Sequence, residues 1–171
     1  MRRRGQIKVR SRCIAVDNNG RLLVERTPEG TLEIPGGRVE YEETIPFCLV
    51  REMREEAGVE AEPKSLVYVV EFRGIRRGRR SHEVLFYFKC ALRGSLKSRS
   101  KGLSFHWIEP DHIDEEFFWP RPLLPYIRMD SPSFDVFRFL VINNNKLEYV
   151  MSSLPKLRVQ SKEYIASKDN I

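Results

Sequence analysis

Residues 44–58 leave this chain the least conformational freedom. Thr44 is a good N-cap, Pro46 is tolerated in a first turn, and Gly58 suits the position just past a helix end, so a helix is expected over 45–57. Advancing 100° per residue from Ile45 puts Pro46, Leu49, Val50, Met53 and Ala57 on one arc of about 100°. Glu52, Glu55 and Glu56 fall together on a second arc of about that width, with Glu52 and Glu56 one turn apart. The fold must bury the first arc while the second gathers three negative charges.

Three carboxylates on one face repel each other. At ~4 Å and an effective dielectric near 20, each close pair costs about 4 kcal/mol. Clustered acids therefore raise their pKa values or bind cations. Hard, oxygen-ligated Mg²⁺, or Mn²⁺ in its place, suits such a site better than zinc. Taken alone, the helix reads more readily as a solvated acidic face, and it is the context that argues for a cation.

The flanking segments read as β. Ile7 to Asp17 is apolar at Ile7, Val9, Cys13, Ile14, Ala15 and Val16, and Asp17-Asn18-Asn19-Gly20 supplies turn residues before Leu22-Leu23-Val24. Thr31–Ile34 is a short strand stopped by Pro35-Gly36-Gly37. Beyond the helix, strands are expected at 66–72 and 83–92, joined by a loop over 73–80, with another at 104–108 and a short helix at 123–129 introduced by Pro122. We expect one domain over 1–128 and an extension over 129–171, with a hairpin within 134–152 turning at Asn143-Asn144-Asn145-Lys146 and a frayed end from about Pro155.

Charge is segregated. Residues 37–62 hold three Arg against eight Glu, whereas residues 73–101 hold ten Lys/Arg against Glu83 alone. This suggests a cation-holding site beside a surface that attracts anions, or else two solvated faces of opposite sign. Three cysteines, Cys13, Cys48 and Cys90, form no CxxC pair and lie in apolar stretches, so they read as packing residues in a reducing cytoplasm. No stretch approaches the ~20 apolar residues of a spanning helix, and no apolar run follows the basic start, so neither membrane insertion nor secretion is expected.

The order of residues around the helix narrows the choice. Pro35-Gly36 precedes Gly37; five residues then separate Gly37 from Glu43, and seven more separate Glu43 from Arg51-Glu52-Met53. Arg54 precedes Glu55-Glu56, and Ala57 precedes Gly58-Val59. This resembles the Nudix hydrolase signature at every specified position, and the resemblance extends more loosely over about residues 6–128. It implies an α/β/α sandwich with a mixed β-sheet, the signature forming a catalytic loop–helix–loop. It also implies a pyrophosphohydrolase dependent on Mg²⁺ or Mn²⁺ that cleaves a nucleoside diphosphate linked to another group.

By motif match, Glu52, Glu55 and Glu56 are metal ligands, with the Gly36 carbonyl completing the site. Glycine suits Gly36 and Gly37 where backbone must approach metal and phosphate. Arg51 and Glu43 resemble the family's orienting ion pair. Glu52 is the first candidate for the base that takes the water's proton. Many members use a glutamate from a later loop, but residues 96–102 carry no acid here, which leaves Glu83, Glu109, Glu115 and Glu116 as alternatives.

Arg26 resembles a phosphate-contacting position at the end of a strand. Arg76 and Arg77, in the basic segment, are candidates for a polyphosphate clamp or an RNA-backbone contact, since arginine offers a planar fork to phosphate. Phe117, Phe118 and Trp119 either stack on a base or anchor a loop. A proline that marks many ADP-ribose hydrolases is absent, Arg73 lying at its place. Nucleoside di- or triphosphates and nucleotide sugars are the expected substrates. The alternatives are RNA ends (a cap or 5′-triphosphate) and a non-catalytic nucleotide- or RNA-binding module on the same fold. The apolar hairpin suggests packing on the domain or in a homodimer.

Overall fold

Strand β1 (Lys8–Ile14) becomes buried on both faces towards its end, because it lies inside a sheet with a helix-covered layer on either side. The structure, a computed structural model, describes residues 5–153 and 157–158. The remaining strands are β2 (Leu22–Arg26), β3 (Leu32–Glu33), β4 (Gly36–Arg38), β5 (Glu60–Arg76), β6 (Arg79–Arg93), β7 (Ser104–Ile108), β8 (Phe137–Asn143), β9 (Lys146–Ser153) and β10 (Leu157–Arg158). Helix α1 spans Ile45–Glu56 and α2 spans Leu124–Asp130. The large sheet runs β4-β1-β6-β5-β8-β9, with β10 added against β5; a three-stranded sheet runs β3-β2-β7. Parallel pairings of β1 with β6 and β5 with β8 make the large sheet mixed.

Alternation along the strands separates two cores. Cys13, Phe88 and Cys90 pack beneath α1 with Leu49, Met53 and Ala57. Ile14, Leu85 and Tyr87 face the opposite layer, which α2 closes with Leu124 and Ile127. The α/β/α sandwich is thus formed, and all three cysteines are buried free thiols. No helix among the described residues is long and apolar enough to cross a membrane.

Helix α1 starts at its expected cap, Thr44 Oγ1 accepting from the Phe47 amide at 3.4 Å, and stops at Ala57 before Gly58 with φ +69°. Its buried face is turned from the expected arc: Cys48 is buried along with Leu49, Met53 and Ala57, while Pro46 and Val50 are only half-buried. Glu52 and Glu56 consequently lie within the packed arc, and Glu55 lies outside it, 60% exposed.

The loop expected over 73–80 is corrected. Strands β5 and β6 continue to a two-residue turn at Arg77-Gly78, whose φ values of 49° and 71° match the twist of a tight hairpin. Arginines look like loop residues in sequence, but Arg76 is held down inside by Glu33 and Glu83. The C-terminal hairpin turns at Asn144-Asn145, both at positive φ, and β8 pairs with β5 from Tyr68↔Arg138 to Arg73↔Asn143. It thus belongs to the same sheet as the residues before 129. Tyr68 Oη donates to Asp130 Oδ2 at 2.8 Å and Arg138 Nη2 to Asp130 Oδ1 at 2.5 Å, tying α2 to the hairpin. The end expected to fray lies outside the described residues, except for β10, which pairs with Leu66 and Ser65.

Candidate active site

Two glycines let three elements meet. Gly36 has φ +140°, and a Cβ there would stand 2.1 Å from the Ser11 carbonyl oxygen, so only glycine lets β4 lie against β1. A Cβ on Gly37 would stand 2.0 Å from Glu52 Cδ, so the bare backbone of β4 is the bed on which the Glu52 carboxylate rests. Helix α1 and β4 thereby share one wall of a cavity of about 260 Å³, to which Glu52, Glu56, Gly36 and Gly37 all contribute.

Arg51 organises the helix acids. Its guanidinium donates to both Glu43 oxygens, at 3.0 and 2.9 Å, and lies 3.0 Å from Glu52 Oε1 and 3.2 Å from Glu55 Oε2. The Arg51 hydrogen bond outweighs burial and holds the Glu43 carboxyl below its ordinary range. Burial raises Glu52 and Glu56; Arg51 opposes this for Glu52, and Glu52 reinforces it for Glu56. Among the described residues, no three acidic, His or Cys side chains converge as a closed metal site. Glu55 is drawn to Arg51 instead.

Beneath the cavity runs a chain of alternating charges that the sequence reading missed. Arg12, 2% exposed, donates to Glu33 Oε2 at 2.7 Å, Glu25 Oε1 at 3.2 Å, the Ile34 carbonyl at 2.9 Å and the Gly36 carbonyl at 3.2 Å. Arg76 donates to Glu33 at 2.7 Å and to Glu83 at 3.0 Å, and its guanidinium lies 3.9 Å above the Trp119 ring. Arg10 donates to Glu83 at 2.5 Å. Burial would raise Glu83, but Ser81, Arg10 and Arg76 hold it at about 2. For Glu25 burial prevails over Arg12, and the carboxyl is pushed up to about 8. Charged residues inside apolar strands (Arg12 before Cys13-Ile14, Glu33 between Leu32 and Ile34) were the signal available.

The expected substrate residues separate. Arg26 does not line the cavity: it is exposed and donates to the Gly30 carbonyl at 3.2 Å, because alternation along β2 turns Glu25 inward instead. Arg76 lines the cavity too, but as a half-buried strut held by Glu33 and Glu83 and not as a free clamp. Arg77 lies at the cavity's mouth, 55% exposed and 3.5 Å from Glu29. Phe118 is buried and Trp119 packs under Arg76, so both anchor their loop, while Phe117 is exposed. Of the alternative bases, Glu83 is locked beneath Arg10 and Arg76, Glu115 pairs with Arg128 at 2.8 Å, and neither Glu109 nor Glu116 lines the cavity. Segment 96–102 caps α1 through Lys97 N to Ala57 O and Arg99 N to Glu56 O, both 2.8 Å.

A sandwich of this architecture is shared by solved structures. The mutator MutT protein of Bacillus halodurans superposes with a TM-score of 0.64 at 19% identity, covering 86% of this chain and 98% of that one. The MutT NUDIX hydrolase of Burkholderia pseudomallei gives 0.60 at 24% identity, covering 70% and 96%. The NUDIX domain model matches residues 7–127, and the chain belongs to that family. A MutT-like protein of Streptomyces ambofaciens is 34% identical over 106 residues, covering 60% of this chain and 64% of that relative, so the match spans less than two thirds of its length.

Proposed function

We propose that the protein is a metal-dependent pyrophosphohydrolase acting on a phosphoric anhydride bond of a small nucleotide, such as a nucleoside di- or triphosphate or a nucleotide sugar. One observation carries this reading: Glu52, Glu56 and the Gly36-Gly37 backbone share a cavity with Arg38 and Arg77 at its charged rim. Membership of the NUDIX domain family supports it.

The donors present fit a hard cation. Glu52 and Glu56 offer carboxylate oxygens and Gly36 a carbonyl, the oxygen set that Mg²⁺ or Mn²⁺ takes. Glu55, outside the cavity, is held by an exposed contact to Arg51. Bound there, a divalent ion would neutralise phosphate charge and lower the pKa of an attacking water. The chain's own residues do the rest. Arg51, fixed by Glu43, orients Glu52. Arg77 and Arg38 grip phosphate oxygens at the mouth. Glu52, lifted by burial, accepts the proton of the water. Of the basic hairpin, Arg76 is turned inward to Glu33 and Glu83 and the exposed Arg73 is paired with Glu148 at 2.7 Å, which favours a small nucleotide over an RNA backbone.

The test is a panel of nucleoside di- and triphosphates, nucleotide sugars and 5′-triphosphate RNA with Mg²⁺ or Mn²⁺, reading released phosphate species. Cleavage of a small nucleotide, lost at least ~100-fold in Glu56→Gln with the fold intact, is expected. Unchanged turnover in that variant at limiting metal would overturn the assignment.

A further inference from the structure

Glu25 is a buried acid with half of its carboxylate unanswered. It is 5% exposed on β2, and its Oε1 takes a hydrogen bond from Arg12 at 3.2 Å. Its Oε2 is fully enclosed and meets no donor. Arg12 spreads its guanidinium over Glu33 and the Ile34 and Gly36 carbonyls as well, and no bond from it reaches Oε2. The other buried acids nearby are served: Glu33 receives both Arg12 and Arg76, and Glu83 receives Arg10, Arg76 and the Ser81 hydroxyl.

The bare oxygen belongs to a residue of the cavity wall, which Glu25 shares with Glu52, Glu56 and Gly36. Glu25 and Glu56 repel one another, and both are partly or wholly withdrawn from water. Once ionised, such a buried carboxyl needs a positive charge to complete its shell. Arg12, the guanidinium bonded to Glu25, also serves Glu33 and two carbonyls, so a further positive charge for Oε2 would come from outside the chain. A hard divalent cation matches a set made of carboxylate and carbonyl oxygens.

We propose that Glu25 is a cation-holding residue of this site, contributing Oε2 from β2 opposite Glu56 on α1. The inference rests on the proposed function and extends it: the metal is gripped between the two sheets' strands and the helix, and not by the helix and β4 alone. Arg12 then has a positioning role, aiming Glu25 and the Gly36 carbonyl at one point.

Mn²⁺ binding to the full chain, followed by the electron paramagnetic resonance of free Mn²⁺, tests this directly. Glu25→Gln keeps an acceptor for Arg12 and removes the charge; its Mn²⁺ affinity is expected to fall at least about tenfold, with a smaller Mn²⁺-induced rise in Tm. If Glu25→Gln binds Mn²⁺ as the wild type does while Glu56→Gln does not, the role of Glu25 is overturned and the site stands. If neither variant changes binding, the metal site itself falls. Should Glu25→Gln not fold, wild-type protein labelled at glutamate carboxyl carbons decides. A Glu25 resonance that shifts with Mg²⁺ and broadens with Mn²⁺ sustains the proposal, and one that does neither overturns it.

Discussion

Replacing Gly37 by alanine adds one methyl group where the structure has no room for it, and the intruded neighbour is a side chain. The new Cβ would stand 2.0 Å from Glu52 Cδ and 2.1 Å from Oε1, so the carboxylate must retreat by roughly 1.4 Å to regain ordinary contact at 3.4 Å. Displacements of about 1 Å at a reacting centre cost on the order of 100-fold in rate, which is about 2.7 kcal/mol at 1.36 kcal/mol per tenfold. Stability should barely move. Gly37 has an ordinary backbone conformation, where alanine gains about 0.4–1 kcal/mol through the unfolded chain, and the Arg51–Glu52 ion pair that the retreat would break is worth about 1 kcal/mol or less. Gly37→Ala should therefore unfold within a few degrees of wild type while kcat drops about 100-fold. Gly36→Ala is the contrasting neighbour: its Cβ meets the Ser11 backbone at 2.1 Å, at φ +140°, so it should lose the β1–β4 pairing and fold poorly. Thermal unfolding and steady-state kinetics on one cleaved nucleotide suffice. A Gly37→Ala protein that turns over within about threefold of wild type, or one that fails to fold, would refute the cradle.

Arg12→Met leaves Glu25 and Glu33 buried without their shared cation; removing one partner of such a pair costs roughly 3–5 kcal/mol, or about 6–20 °C in Tm for a chain of this size, and adding Glu25→Leu should restore part of it. A Tm within 2 °C of wild type would contradict the network. Glu83 sits at about 2 in the fold against 4.5 as its ordinary value, so its stabilisation is complete above about pH 4.5 and lost as pH falls through about 2. Glu83→Gln should therefore show a flatter acid limb in urea titrations between about pH 5 and 2, and an unchanged slope would refute it. Arg77→Ala should raise KM for a triphosphate with kcat and Tm unchanged, whereas Arg76→Ala should lower Tm, because it strips cover from Glu33, Glu83 and Trp119. Equal thermal losses in the two would show that Arg77 too is a strut.

What was legible in the sequence is what neighbours along the chain decide. Thr44 and Gly58 bound the helix by local hydrogen bonding and backbone freedom, and the asparagines at 144–145 supply the positive φ that their hairpin turn needs. Glu52 and Glu56 were identified by spacing, but their difference from Glu55 was not, because the buried face depends on where Cys48 lands. Arg12, Glu25 and Glu33 went unread because each is explained only by the others, and they come from three different strands. The sequence points to Arg26 where the cavity takes its neighbour Glu25: a strand's period of two makes one inward and one outward, and the phase is set by tertiary packing. The basic hairpin looked like a loop for the same reason, its acidic partner Glu33 being 43 positions from Arg76.

The parallel pairing of β8 with β5 has a consequence for how the chain behaves alone and in company. Between Tyr68 and Arg73, every ladder bond on one side of β5 is made to β8. A chain cut after Met129 would leave that row of amides and carbonyls open, beside Val70 and Phe72, which the full chain buries completely. Such a row is a template for any extended segment, including the same strand of a second copy. The hairpin thus covers that row, and the truncated chain is expected to self-associate or precipitate at lower concentrations than the intact one.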